Sequence, residues 1–148
     1  MSRGVYHEHM SLERVLRSDV ASLVSATAEL ETMLAEAALP HDVVYACSLV
    51  LEEVFTNILR YAYADAGAHE VRFSARRTED HVVLEFADDG RAFDPLSAKP
   101  PDLRLPPEER PIGGLGIHLV RKIADALEYA REDGRNRLTV RIAIRPKE

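Results

Sequence analysis

The chain has 148 residues, 46% hydrophobic and 30% charged, a composition that fits one globular domain and excludes a disordered or collagen-like chain. Its net charge of −6 is uneven: residues 1–112 carry 11 basic and 20 acidic side chains and residues 113–148 carry 8 and 5, so a sequence-independent nucleic-acid surface is not expected. A single cysteine, Cys47, excludes an internal disulfide, and six scattered histidines offer no zinc spacing.

In chain order, Met1–Met10 lacks the apolar core of a secretory signal, and the longest near-apolar run, Val43–Leu51, is too short to cross a membrane. A soluble, cytoplasmic protein is expected. Leu12–Arg17 alternates loosely, as an edge strand does. Ser18 or Asp19 can cap a following helix whose apolar positions Leu23, Leu30 and Leu34 recur at helical spacing up to Pro40. A second helix is predicted from about Asp42 to Tyr63, with Cys47, Val50, Val54 and Ile58 as its apolar stripe. Val71, Phe73 and Ala75, then Val82, Leu84 and Phe86, alternate as two strands of a hairpin turning near Thr78–Asp80.

Six of the eight prolines fall between Pro95 and Pro111, where neither a helix nor an inner strand can persist. Such a stretch reads as a lid, taken here as about 94–112. Gly113-Gly114-Leu115-Gly116 then opens a helix reaching about Leu127. Residues from Leu127 to Arg145 form a hairpin around Asp133-Gly134, with Leu138, Val140, Ile142 and Ile144 on one face of the last strand. The order β-α-α-β-β-lid-α-β-β predicts an α+β, two-layer α/β sandwich. Its sheet is mixed and mainly antiparallel, with helices on one face, in a single domain over 1–148.

Three short motifs carry chemistry. In Glu53-Val54-Phe55-Thr56-Asn57, residues i and i+4 share one helix face. Asn57 offers a neutral oxygen suited to Mg²⁺, and Glu53 can orient or deprotonate an attacking hydroxyl. The plainer reading is a solvated helix face, to which Glu52 also belongs. In Asp88-Asp89-Gly90-Arg91-Ala92-Phe93, Asp88 continues the inward row of Val82, Leu84 and Phe86. A buried carboxylate needs a donor, such as the exocyclic amine of a base. Here the plainer reading is a turn, since Asp-Gly is a common turn pair. Gly113-Gly114-Leu115-Gly116 runs into a helix, and its exposed amides favour phosphate; a hinge after the proline stretch is the alternative. No Gly-Lys pair is present for a Walker A loop, and the glycines do not directly follow a strand as in the dinucleotide fingerprint.

Taken together and in this order, the motifs resemble those of the GHKL ATPase superfamily, which holds the ATP-binding domains of gyrase, Hsp90, histidine kinases and MutL. The wording is most similar to the RsbW/SpoIIAB-type anti-sigma-factor serine kinases. LEEVFTNILRYAY resembles their N box, DDGRAFDP the first glycine box and GGLGIHLVRKIAD the second. The resemblance runs over roughly Leu12 to Ile144.

It implies ATP and Mg²⁺ as cofactors, with Glu53 as catalytic base and Asn57 as metal ligand. Asp88 would read the adenine amino group beside Gly90. Gly113, Gly114, Leu115 and Gly116 would hold phosphates through their amides. A lid arginine would approach the γ-phosphate, and Arg110 is assigned here over Arg104. Thr139 matches a threonine that joins the adenine contact, yet it has the opposite parity to Leu138, Val140 and Ile142, so the match requires a bulge. Other departures are Ala92 in place of a glycine and Tyr61-Ala62 in place of His-Gly.

The activity implied is protein serine/threonine phosphorylation by an anti-sigma factor. Its phosphoacceptor would be a STAS-type anti-anti-sigma protein, and a sigma factor would be held in alternation. A homodimer is expected, with neither nucleic acid nor membrane as partner. Open alternatives are a non-catalytic ATP-binding switch module, an ATP hydrolase in which Glu53 activates water, and a detached histidine-kinase catalytic domain.

Overall fold

The structure, a computed structural model, describes residues 10–63, 69–97, 104–106, 108 and 114–144. Strand β1 (Ser11–Arg17) leads into helix α1 (Val20–Glu36), then α2 (His41–Tyr61), β2 (Glu70–Arg77), β3 (His81–Asp88), α3 (Gly114–Ile123), β4 (Ala126–Glu132) and β5 (Arg135–Ala143). The strands form one sheet in the order β1-β2-β3-β5-β4. All four pairings are antiparallel, so the sheet expected to be mixed and mainly antiparallel carries no parallel pair among the described residues.

Period-2 patterning decides which face the helices cover. Leu12 and Leu16 of β1, Val71, Phe73 and Ala75 of β2, Val82, Leu84 and Phe86 of β3, and Leu138, Val140 and Ile142 of β5 are all buried in one core with α1 and α2. Cross-strand partners such as Phe73↔Phe86, Phe86↔Leu138 and Leu84↔Val140 keep that row continuous. Phe73 and Phe86 meet with ring centroids 5.2 Å apart. Asp19 caps α1, its carboxylate accepting from the Ser22 amide at 2.6 Å.

Helix α2 supplies the widest apolar stripe, with Val43, Cys47, Val50, Leu51, Val54, Phe55 and Ile58 buried. Cys47 is fully buried, and that desolvation pushes its thiol up to about 12, so it packs as a small apolar group.

The β4–β5 hairpin turns through Asp133 (φ 51°) and Gly134 (φ 75°), two successive left-handed residues as a two-residue type I′ turn requires. Helix α3 ends at Ile123 rather than near Leu127, because the Asp125 amide donates to the Arg141 carbonyl at 2.9 Å and starts the β4 ladder. Leu127 and Tyr129 therefore face the core from a strand. Within the expected lid, residues 94–97, 104–106 and 108 are described, and Pro95–Ser97 is one turn of 3₁₀ helix. Among the described residues, no helix is long and apolar enough to cross a membrane.

Candidate functional site

The site lies at the end of the sheet where β3 ends and β5 begins, under the second half of α2. Val54, Asn57, Ile58, Phe86, Asp88, Phe93, Pro95, Ile117, Tyr129, Asn136 and Leu138 line a cavity of about 20 Å³. Its walls are apolar, and its polar atoms come from three elements: Asn57 on α2, Asp88 at the end of β3, and Asn136 with Tyr129 on the β4–β5 hairpin. A larger hollow of about 400 Å³ opens on the other face of the sheet among Glu13, Arg72, Glu85 and Arg137, and none of the three motifs contributes to it.

Asp88 is buried at 4% exposure because it continues the inward row of β3 beyond Phe86. Its Oδ1 accepts from the Gly90 amide at 2.9 Å and from Asn136 Nδ2 at 3.0 Å. The first of these is an Asx turn, which reverses the chain immediately after the strand. Burial raises the Asp88 carboxyl above the ordinary aspartate range; Asn136, the Gly90 amide and Arg131 pull it back down, and Asp89 adds to the rise.

The loop after Asp88 is held from both sides. The Arg91 amide donates to the Ala62 carbonyl at 2.8 Å and Arg91 Nε to the Tyr61 carbonyl at 2.6 Å, which ties it to the end of α2. On the other side Arg131 donates to the Gly90 carbonyl at 2.7 Å. Glycine is required at 90, since a Cβ would stand 2.7 Å from Ala62 Cβ and closer still to its carbonyl oxygen. Tyr61 stacks on Phe93 with centroids 5.1 Å apart, so the Tyr61-Ala62 pair is used in holding this loop.

Glu53 and Asn57 stand one turn apart on α2, facing α3. Asn57 is buried at 6% exposure, and its Nδ2 turns back to the Glu53 carbonyl at 3.4 Å. With the nitrogen so engaged, the amide oxygen is the atom a hard cation would use. Glu53 is half-buried. Desolvation and the neighbouring Glu52 raise its carboxyl above the ordinary glutamate range, while Arg60 opposes them. At Gly116 a Cβ would collide with Glu53 Oε2 and lie 3.7 Å from Asn57 Nδ2. The second glycine motif therefore packs its backbone against both polar residues of the first.

The fold thus brings together Glu53, Asn57, Asp88, Gly90 and Gly116. Gly114 and Leu115 form the first turn of α3. Gly113 and Arg110 lie outside the described residues, as does most of the expected lid.

Thr139 does not join the cavity. It pairs with Glu85 and Glu128 on the face opposite Leu138 and Val140, with no bulge to turn it inward. The polar side chain that β5 does present is Asn136, opposite Asp88 in the ladder and 5% exposed. Period 2 could have found it, because Asn136 lies two residues before Leu138 as Asp88 lies two after Phe86.

The histidine kinase-like ATPase domain family matches residues 16–142. The chain belongs to that family. A serine/threonine-protein kinase, BtrW of Bordetella bronchiseptica, is 33% identical over 96 residues, 65% of this chain and 68% of its own. The serine-protein kinase RsbW of Bacillus cereus is 32% identical over 91 residues; the match spans 58% of this chain and a little over half, 56%, of RsbW. Among solved structures, the SiaB–SiaC complex from Pseudomonas aeruginosa contains a chain that superposes with a TM-score of 0.59 at 18% identity, covering 96% of this chain and 95% of that one. The histidine kinase AdeS of Acinetobacter baumannii superposes with a TM-score of 0.50 at 16% identity, over 91% and 68%. At those identities the two structures speak for the shared fold.

Proposed function

We propose that this chain is an ATP-dependent serine/threonine protein kinase that acts as an anti-sigma factor. It would phosphorylate a STAS-type anti-anti-sigma protein and hold a sigma factor when that partner is modified, working in the cytoplasm as a homodimer. The observation that carries the reading is the convergence of Glu53, Asn57 and Gly116 beside a buried, acceptor-bearing pocket at Asp88, in a chain whose curated relatives are protein kinases.

In this reading Asp88 accepts from the adenine amino group. The cavity has room for about one water, so a base enters only as the pocket widens. The α3 amides at Gly114 and Gly116, at the positive end of a helix, then face the phosphates.

Asn57 is the residue suited to Mg²⁺. No cluster of three or more His, Cys, Asp or Glu that could hold a metal occurs among the described residues, which suits an ion bound mainly through phosphates and water. When bound, Mg²⁺ supplies charge neutralisation at the phosphates. Glu53 would hold the acceptor hydroxyl and take its proton, a task helped by a carboxyl raised above its ordinary range.

Purified protein with γ-labelled ATP and Mg²⁺, added to a lysate of the source cells, tests the reading. The expected result is one small labelled protein whose label is acid-stable phosphoserine or phosphothreonine. Bound ATP without any labelled protein would instead support a switch module that does not transfer phosphate. Released inorganic phosphate alone would support an ATP hydrolase.

A further inference from the structure

Asn136 makes more hydrogen bonds than any single role in strand pairing needs. Its Nδ2 donates to Asp88 Oδ1 at 3.0 Å and to the Arg91 carbonyl at 2.8 Å. Its Oδ1 accepts from the Phe93 amide at 3.3 Å, from Arg131 at 3.1 Å and from the Tyr129 hydroxyl. Every partner agrees with one orientation of the amide: two acceptors face the nitrogen and three donors face the oxygen. Rotating the amide by half a turn would set acceptor against acceptor and donor against donor, so the Asn136 side chain is locked.

The lock has a consequence for Asp88. A carboxylate oxygen has two lone-pair directions, and those of Oδ1 are filled by the Gly90 amide and by Asn136 Nδ2. Oδ2 is the oxygen left to meet a ligand in the cavity that Asp88 lines. An ionised oxygen only accepts, and it matches a 6-amino purine. A 6-oxo purine would bring a second lone pair against it, and a site built around one hydrogen-bond sense rejects the opposite one strongly.

We propose that Asn136 is a positioning residue that reserves Asp88 Oδ2 for the base and thereby sets a preference for a 6-amino over a 6-oxo purine nucleotide. The proposal rests on the ATP-binding reading above. Without Asn136, the Asp88 carboxylate keeps only the Gly90 amide as a donor on Oδ1, so its plane can swing away from the base and its protonated form is favoured. A protonated carboxyl donates as well as accepts and no longer discriminates.

The test is titration calorimetry of the purified chain with ATP and with inosine triphosphate, each with Mg²⁺. Wild type is expected to prefer ATP by about tenfold or more, the scale of one charge-assisted hydrogen bond. Asn136→Leu, branched at the same carbon but bulkier and without the amide, is expected to weaken ATP about tenfold while leaving the inosine nucleotide within about threefold, so the preference collapses. Where Asn136→Leu fails to fold, Asn136→Ala answers the same question: it removes the donor to Asp88 without placing a second charge beside it, and is expected to lose the preference too. Equal weakening of both nucleotides in these variants would mean that Asn136 only braces the loop and would overturn the proposal alone. A wild-type chain that binds neither nucleotide would overturn the ATP-binding reading and this proposal with it.

Discussion

The Glu53 carboxylate lies against the backbone of Gly116, filling the space a side chain at 116 would occupy. Two motifs far apart in sequence are thereby joined at one point, where helix α2 meets the first turns of α3. The contact explains why a glycine stands inside a helix, where it is otherwise unfavourable by about 1 kcal/mol relative to alanine.

Gly116→Ala should separate stability from activity. The Cβ meets the end of a flexible side chain, so the fold can yield by moving Glu53 while the helix gains propensity. Thermal unfolding is expected within a few degrees of wild type, with phosphoryl transfer down about tenfold or more as the carboxylate is displaced. Melting curves and initial rates on the same preparation check this; unchanged transfer would mean that the Glu53 position is immaterial.

Gly90→Ala should do the reverse. Here the added methyl meets the Ala62 carbonyl and Cβ, which belong to the anchored end of α2 and cannot yield cheaply. A loss of about 1–3 kcal/mol is expected, in the range of an overpacked core, readable from urea denaturation midpoints.

Asp88→Asn is expected to weaken ATP binding at least about tenfold, because the ligand-facing acceptor is removed. The same change should stabilise the unliganded protein at neutral pH. The Asp88 carboxyl is raised above its unfolded value, so between those two values the folded state binds more protons, and stability falls as pH rises through that window. Above it, the folded protein carries the cost of a buried charge that the variant lacks. Comparing unfolding midpoints of wild type and variant from pH 4 to pH 8 checks the sign: their difference should grow with rising pH and then level off.

Much of this architecture was legible from pattern alone. Alternation in Val71–Ala75, Val82–Phe86 and Leu138–Ile142 identified the core face of three strands, and helical spacing around Cys47, Val50, Val54 and Ile58 identified the buried side of α2. The same parity rule opposed placing Thr139 in the pocket, and the observed register agrees with it. Period 2 puts Asn136 on the inward row of β5, but what holds it there is not legible locally, because Asp88, Arg91 and Tyr129 arrive from elsewhere in the chain. The early end of α3 was hidden for a related reason. Residues 124–127 continue a helical pattern locally, but pairing with β5 through Asp125 overrides it. The packing of Glu53 on Gly116 is likewise a tertiary fact that no spacing within either motif encodes.

The most direct test compares wild type with Glu53→Gln in two assays on the same protein: ATP affinity by calorimetry, and transfer of labelled γ-phosphate to the acceptor protein. If Glu53 acts on the hydroxyl and not on the nucleotide, the variant should bind ATP within about threefold of wild type and transfer phosphate about 10²–10⁴-fold more slowly, the usual worth of a general base. Transfer at the wild-type rate by Glu53→Gln would contradict the account at its centre.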